Sequence, residues 1–411
     1  MQQLNAYRKA QIPLWLALML GHMALFAVYA GTMGVLVLEA IAMINPDGKI
    51  ASAAVVAGFG SLLAVVVSPL AGAASDRTRS RIGRRHPWLL AGAFLALVAS
   101  LILANATTLI AVLGAYCLLS TAMNVYQAAL AAIVPDRVPV NQRGRYSAAI
   151  GIATALGAVV GTQVAAAGGG DSWAYVVLGL LTLGAATVIT TMTREPKPVG
   201  TLPQVKRHER LNAFTSGFFQ ALSSADYTLV LLNRFLMILS LNMATVYLIF
   251  VLQDFVPLPP DVSPAEGVAA LTLVTATFGV LAAITCGGLA DRLRSYRFFV
   301  LSAGVLGGFA LLLPVLANSW SMMLVFAATE GIALGAYLAV NTALATLVLP
   351  RANDAGRDLG ILNIADAAPP VAAPMVASIL VLIGGYPAVF TVASATALAA
   401  SLAILPIKSV K

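Results

Sequence analysis

Apolar runs of roughly 20 residues, each closed by a short polar stretch, recur from residue 12 to residue 406. A run of that length crosses the hydrocarbon core of a bilayer when wound as a helix. Backbone N–H and C=O groups find no water there, so each run must pair them internally, and a helix does so. The pattern removes most soluble folds at once. The balance of residues agrees: the chain is 60% hydrophobic and 10% charged, where soluble domains carry about a quarter charged residues. The expected fold class is an all-α membrane protein.

The runs lie at 12–38, 52–74, 87–104, 107–132, 146–167, 173–192, 228–252, 266–289, 298–317, 320–348, 358–383 and 386–406, giving twelve predicted spans. Residues 193–227 interrupt them. That stretch carries Arg194, Lys197, Lys206, Arg207 and Arg210 among Pro196, Pro198 and Pro203, then turns weakly amphipathic through Leu211, Phe214 and Phe218. It suits a polar linker followed by a surface-lying helix. The expected organisation is a six-helix bundle over 1–192, a cytoplasmic linker over 193–227 and a second six-helix bundle over 228–411.

The net charge is +8. Its basic residues sit between apolar runs, so a membrane explains them and nucleic acid is not an expected partner. With the amino terminus inside, 22 of the 24 Lys and Arg residues fall in inside loops and termini; Lys49 is outside and Arg234 lies within a span, placed to snorkel to the cytoplasmic surface. The positive-inside rule then supports twelve spans with both ends cytoplasmic. The expected location is the cell's inner membrane, and the first run is long enough to be a retained helix. Cys117 and Cys286 both fall inside runs, so neither a disulfide framework nor a CxxC metal site is expected. The chain is expected to be a monomer whose partners are lipid and a small solute.

One loop stands out. Gly72 to Trp88 carries five arginines in seventeen residues, and a shorter copy, Gly287 to Arg294, begins 215 positions later. Pro135-Asp136-Arg137 and Pro350-Arg351 repeat at the same offset. Two related six-span halves are the pattern of a secondary transporter, with its solute site near mid-membrane between them.

Gly72-x-x-x-Asp76-Arg77 with Gly83-Arg84-Arg85, and the copy Gly287-x-x-x-Asp291-Arg292, resemble the paired loop signatures of the major facilitator superfamily. The resemblance covers essentially the whole chain. It implies two pseudo-symmetric bundles, alternating access, and an inside gate built from those nine residues. In that family the second span lies against the eleventh and the eighth against the fifth. Asp76 and Asp291 are then placed to cap the partner half's helices, and Gly72 and Gly287 to admit a close helix, while Arg77, Arg84 or Arg292 pairs with loop acids. The stretched spacing through Pro87-Trp88, and Gly356-Arg357-Asp358-Leu359-Gly360 at the eleventh span, are similar to the sucrose-transporter and glycoside–pentoside–hexuronide symporter group. A sugar or glycoside is the solute this implies. The acids of melibiose-type symporters are missing from the interiors of the second and fourth spans, and the acid of the first is Glu39 at its outer end, which argues against sodium coupling.

Polar groups inside the spans supply the candidate site. Ionisable residues at membrane depth are costly and so point to function. Glu330, Asp366 and His22 are the proton-coupling candidates, with His22 equally suited to helix packing. Ser120, Asn124 and Gln127 share one helical face of the fourth span, and Glu330, Tyr337 and Asn341 one face of the tenth. With Tyr29 and Asn242 they form the substrate-binding candidates, a set of amides and phenols suited to a neutral hydroxylated solute; ordinary hydrogen bonding between helices is the other role open to each. Catalytic residues, metals and organic cofactors are not expected: HExxH, Walker and GxSxG motifs are lacking, and the proton gradient is the expected driving force. Export of a small hydrophobic metabolite or drug, or a receptor that keeps the fold without transport, are the alternatives.

Overall fold

The structure, a computed structural model, describes residues 13–139, 142–193, 225–293, 295–347, 365–366 and 368–407. Among them eleven helices are long and apolar enough to cross a membrane, and no strand occurs. Two compact units form, Met1–Gly200 and Thr201–Lys411. The linker residues 194–224 and the Gly356-Arg357 pair lie outside the described residues.

The N-terminal unit holds α1 (Leu14–Ile44), α2 (Lys49–Arg77), α3 (His86–Leu103), α4 (Leu109–Arg137), α5 (Arg143–Gly168) and α6 (Ser172–Met192). Local chemistry sets several ends. Pro87 sits in the first turn of α3, where a missing N–H costs nothing. The Thr108 hydroxyl accepts from the Ala111 N–H at 3.2 Å and caps α4. Gly169, left-handed at φ 54°, closes α5. Within α1, residues Tyr29–Leu36 are wound as a π-helix between two α segments.

Lipid is as apolar as leucine, so these helices associate through close fit rather than through exclusion of water. Gly157 and Gly161 of α5 lie against the backbone carbonyls of Met23 and Ala27 in α1, with no room for a Cβ. Gly151, one more member of the same small-residue row, faces open space. Large apolar side chains such as Ile110 and Leu70 point outward, while alanines such as Ala93, Ala96 and Ala122 fill the interior.

The C-terminal unit holds α7 (Ala225–Asp254), α8 (Pro264–Leu293), α9 (Tyr296–Leu316), α10 (Trp320–Leu347) and α11 (Pro369–Leu402). Gly331 and Gly335 of α10 press on Thr275 and Gly279 of α8, a second close-packed glycine pair. α7 is interrupted between Thr245 and Leu248. α11 breaks at Gly384 and Gly385, the latter at φ 69°, which separates the two last predicted spans into two arms. The beginning of the eleventh predicted span, at 358, lies outside the described residues.

Candidate functional site

The arginine-rich loop is organised around Arg85, which is 4% exposed. Its guanidinium reaches Asp76 at 2.5 Å and Asp136 at 3.0 Å, and donates to the Ser75 hydroxyl at 2.7 Å. Arg84 meets the other oxygen of Asp136 at 2.7 Å. A buried guanidinium is tolerable here because two carboxylates and a hydroxyl face its donors. Gly83 supplies the turn with φ 108°, which a side chain would resist. Trp88, at the start of α3, donates its indole N–H to the Thr78 hydroxyl at 2.8 Å and ties the loop across its base.

Within its own unit a Cβ at Gly72 would meet nothing within 4 Å, and at Gly287 it would lie 3.6 Å from Ala339 of α10, an ordinary contact. Asp76 is engaged by Arg85 of its own unit, and Arg77 and Arg292 are exposed. The Asp291 side chain lies outside the described residues.

The C-terminal unit holds two of the candidate acids, in opposite circumstances. Asp366 forms a two-point ion pair with Arg234 of α7, at 2.5 and 2.7 Å. Arg234, expected to snorkel, is met by a carboxylate that neutralises it where it stands. The same pair makes Asp366 an anchored counter-ion rather than a lone acid. Glu330, midway along α10, has no such partner. It is 4% exposed, and neither carboxyl oxygen has a hydrogen-bond partner among the described residues. A Cβ at Gly307 of α9 would sit 3.5 Å from its Oε2 and 3.4 Å from Met237 of α7, so the carboxyl group points between α7 and α9.

Glu330, Tyr337 and Asn341 do share a face, but it turns into the unit: Tyr337 and Asn341 are each 1% exposed. The Tyr337 hydroxyl donates to Asn233 at 3.0 Å, and Asn233 donates to the Ala400 carbonyl at 2.8 Å. The Tyr337 end of this face knits α7, α10 and α11 together, while Asn341 Oδ1 is buried without a hydrogen-bond partner among the described residues. On α4, Ser120 donates to the Gly60 carbonyl of α2 at 2.7 Å, and Asn124 donates back to Ser120 at 2.8 Å. Both are buried and serve the helices. His22 bonds the Leu18 carbonyl of its own helix at 2.9 Å and is buried. Tyr29, Gln127 and Asn242 remain half-buried; the Tyr29 hydroxyl meets Gln127 at 3.3 Å, a bond long enough to yield to another partner.

Comparison with known proteins fits this geometry. The model of the Major Facilitator Superfamily matches residues 14–259 and 230–410. The chain belongs to that superfamily. Solved structures with the same fold include a peptide transporter POT in complex with sulfate, 12% identical over 96% of this chain and 94% of that one, with a TM-score of 0.75. Another is an auto-inhibited POT family peptide transporter, 13% identical over 95% and 96%, with a TM-score of 0.69. At such identities the likeness is one of fold. No curated protein matches the sequence.

As a major facilitator protein, the chain carries its Asp-Arg pairs at matching places in its two halves, Asp76-Arg77 at the end of α2 and Asp291-Arg292 at the end of α8. Three residues escaped the sequence reading. Asp136 was visible beside Pro135, whose match Pro350 lies 215 positions later, yet nothing local says that it meets Arg84 and Arg85. Ser75 and Asn233 gave no signal, because each is defined by a partner on another helix.

Proposed function

We propose that this chain is a proton-coupled secondary transporter working by alternating access, with 1–192 and 228–411 as its halves, 193–227 as a cytoplasmic linker and both termini cytoplasmic. The carrying observation is Glu330, an acid buried at membrane depth whose oxygens lack hydrogen-bond partners among the described residues. An unpaired carboxylate is prohibitively costly in such a place, and binding a proton removes the cost. Nothing in packing alone calls for an acid there. Asp366, held by Arg234, and His22, held by its own helix, are weaker carriers.

The solute in this reading is small, neutral and hydroxylated, a sugar or glycoside. The support is the loop spacing shared with sugar-type symporters, together with the half-buried Tyr29, Gln127 and Asn242, which offer phenol and amide groups and no charge. The inside gate is built around Asp76, Arg84 and Arg85. Purified protein in vesicles carrying a trapped pH dye tests the reading. Proton movement is expected on adding one or more of a panel of mono- and disaccharides and glycosides. Movement with lipophilic compounds alone selects the export reading, and movement with neither class overturns proton-coupled transport of both.

A further inference from the structure

At the end of each unit remote from its Asp-Arg loop, an acid near the close of the first helix is matched with a tyrosine at the opening of the last. In the C-terminal unit Asp254 ends α7, and Tyr386 follows the break in α11. The Tyr386 hydroxyl donates to Asp254 Oδ2 at 2.6 Å, and its ring lies 6.3 Å from that of Phe255. In the N-terminal unit the corresponding residues are Glu39, near the end of α1, and Tyr175, in the first turn of α6. Glu39 precedes Asp254 by 215 positions, the offset that separates Gly72 from Gly287, and Tyr175 precedes Tyr386 by 211.

The N-terminal pair is unmade. The first and last helices of the unit pack together, yet the Tyr175 hydroxyl and Glu39 Oε2 are both buried without a hydrogen-bond partner among the described residues. Tyr175 is 5% exposed, and buried polar groups are seldom left unpaired. A buried donor and a buried acceptor on packed helices can serve as a hydrogen bond held in reserve.

The helices that carry the two acids differ at one matching place. α7 breaks at Val246 and Tyr247, which the 215-residue offset maps onto Gly31 and Thr32. Those two residues sit inside the π-wound Tyr29–Leu36 segment of α1, where the Thr32 hydroxyl is also buried without a hydrogen-bond partner among the described residues. Dropping one residue from a helical turn rotates everything beyond it by about 100°. Rewinding this segment would therefore swing Glu39 relative to α6.

We infer that the two pairs are copies of one clasp, closed at Asp254–Tyr386 and open at Glu39–Tyr175, and that rewinding of Tyr29–Leu36 closes the N-terminal copy. Each clasp ties the first helix of a half to its last. The clasp stands independently of the solute reading.

The test uses the full chain in proteoliposomes, with Cys117→Ser and Cys286→Ser as background. One variant adds Glu39→Cys and Tyr175→Cys, the other Asp254→Cys and Tyr386→Cys, and cross-linking by a short bifunctional methanethiosulfonate, long enough to replace the lost side chains, is followed by mass spectrometry. The C-terminal pair should cross-link at once and the N-terminal pair more slowly, as a visited state. No N-terminal cross-link, or one formed as fast as the C-terminal, overturns the inference. Thermal melting gives a second readout in variants that keep the rings. Tyr386→Phe should lower the melting temperature and Tyr175→Phe should leave it unchanged, and the reverse order also overturns it. None of these measurements needs the solute, so failure of the transport reading would be seen separately.

Discussion

Arg85 shows how a single side chain can fix a loop. A guanidinium buried to 4% exposure carries a desolvation cost that a lone charge could not sustain. Asp76, Asp136 and Ser75 offset it by facing its donors along directions that an ammonium group cannot match. Breaking such a buried pair costs about 3–5 kcal/mol. Asp76 is 48% exposed at its side chain, which places the loss at the lower end. Thermal unfolding in detergent should show Arg85→Ala less stable by about 3 kcal/mol, with Arg85→Lys intermediate. Loss of as much stability on Arg77→Ala, whose side chain is exposed, would mean that the loop is not organised around Arg85.

Among elements, the contacts that matter are short and often invisible in the chain order. Glycine separates them well. Gly161→Ala drives a methyl group into the Ala27 carbonyl and should cost about 1–3 kcal/mol by forcing α1 from α5. Gly114→Ala, where a Cβ meets nothing within 4 Å, should be neutral or stabilising by up to about 1 kcal/mol. Melting curves of the two variants side by side make the comparison. The Arg234–Asp366 pair ties α7 to the segment before α11 across 132 positions. A double-mutant cycle of Arg234→Ala and Asp366→Asn should return a coupling of about 1–3 kcal/mol, where independent sites would add.

The same elements show what the sequence could carry. Helices were legible because lipid enforces length and apolarity on each one separately. The Arg234–Asp366 pair, the Asp136 partnership and the knit of Tyr337 with Asn233 were not, because each joins different helices and depends on which faces meet. Polar faces on α4 and α10 were found correctly as faces, but their direction was not in the pattern. An amide row looks the same whether it lines a cavity or bonds a neighbour.

At the scale of the whole molecule, two units share motifs at a 215-residue offset while differing in detail. Charged candidates are unevenly divided: Arg234 and Glu330 lie within α7 and α10 of the C-terminal unit, with Asp366 just before α11, while the candidates in the N-terminal spans are neutral polar groups and His22. This division fits the proposed transporter, with one half handling the proton and the other contributing much of the solute contact. In that proposal each loaded cycle carries a proton on Glu330. Glu330→Gln keeps the shape and removes the titration. With a solute found by the vesicle screen, the decisive measurement is transport by this variant in two modes, uptake driven by an imposed pH gradient and exchange of labelled for unlabelled solute at equal pH. Loss of pH-driven accumulation with exchange preserved is the predicted result; accumulation at the wild-type level would contradict the account.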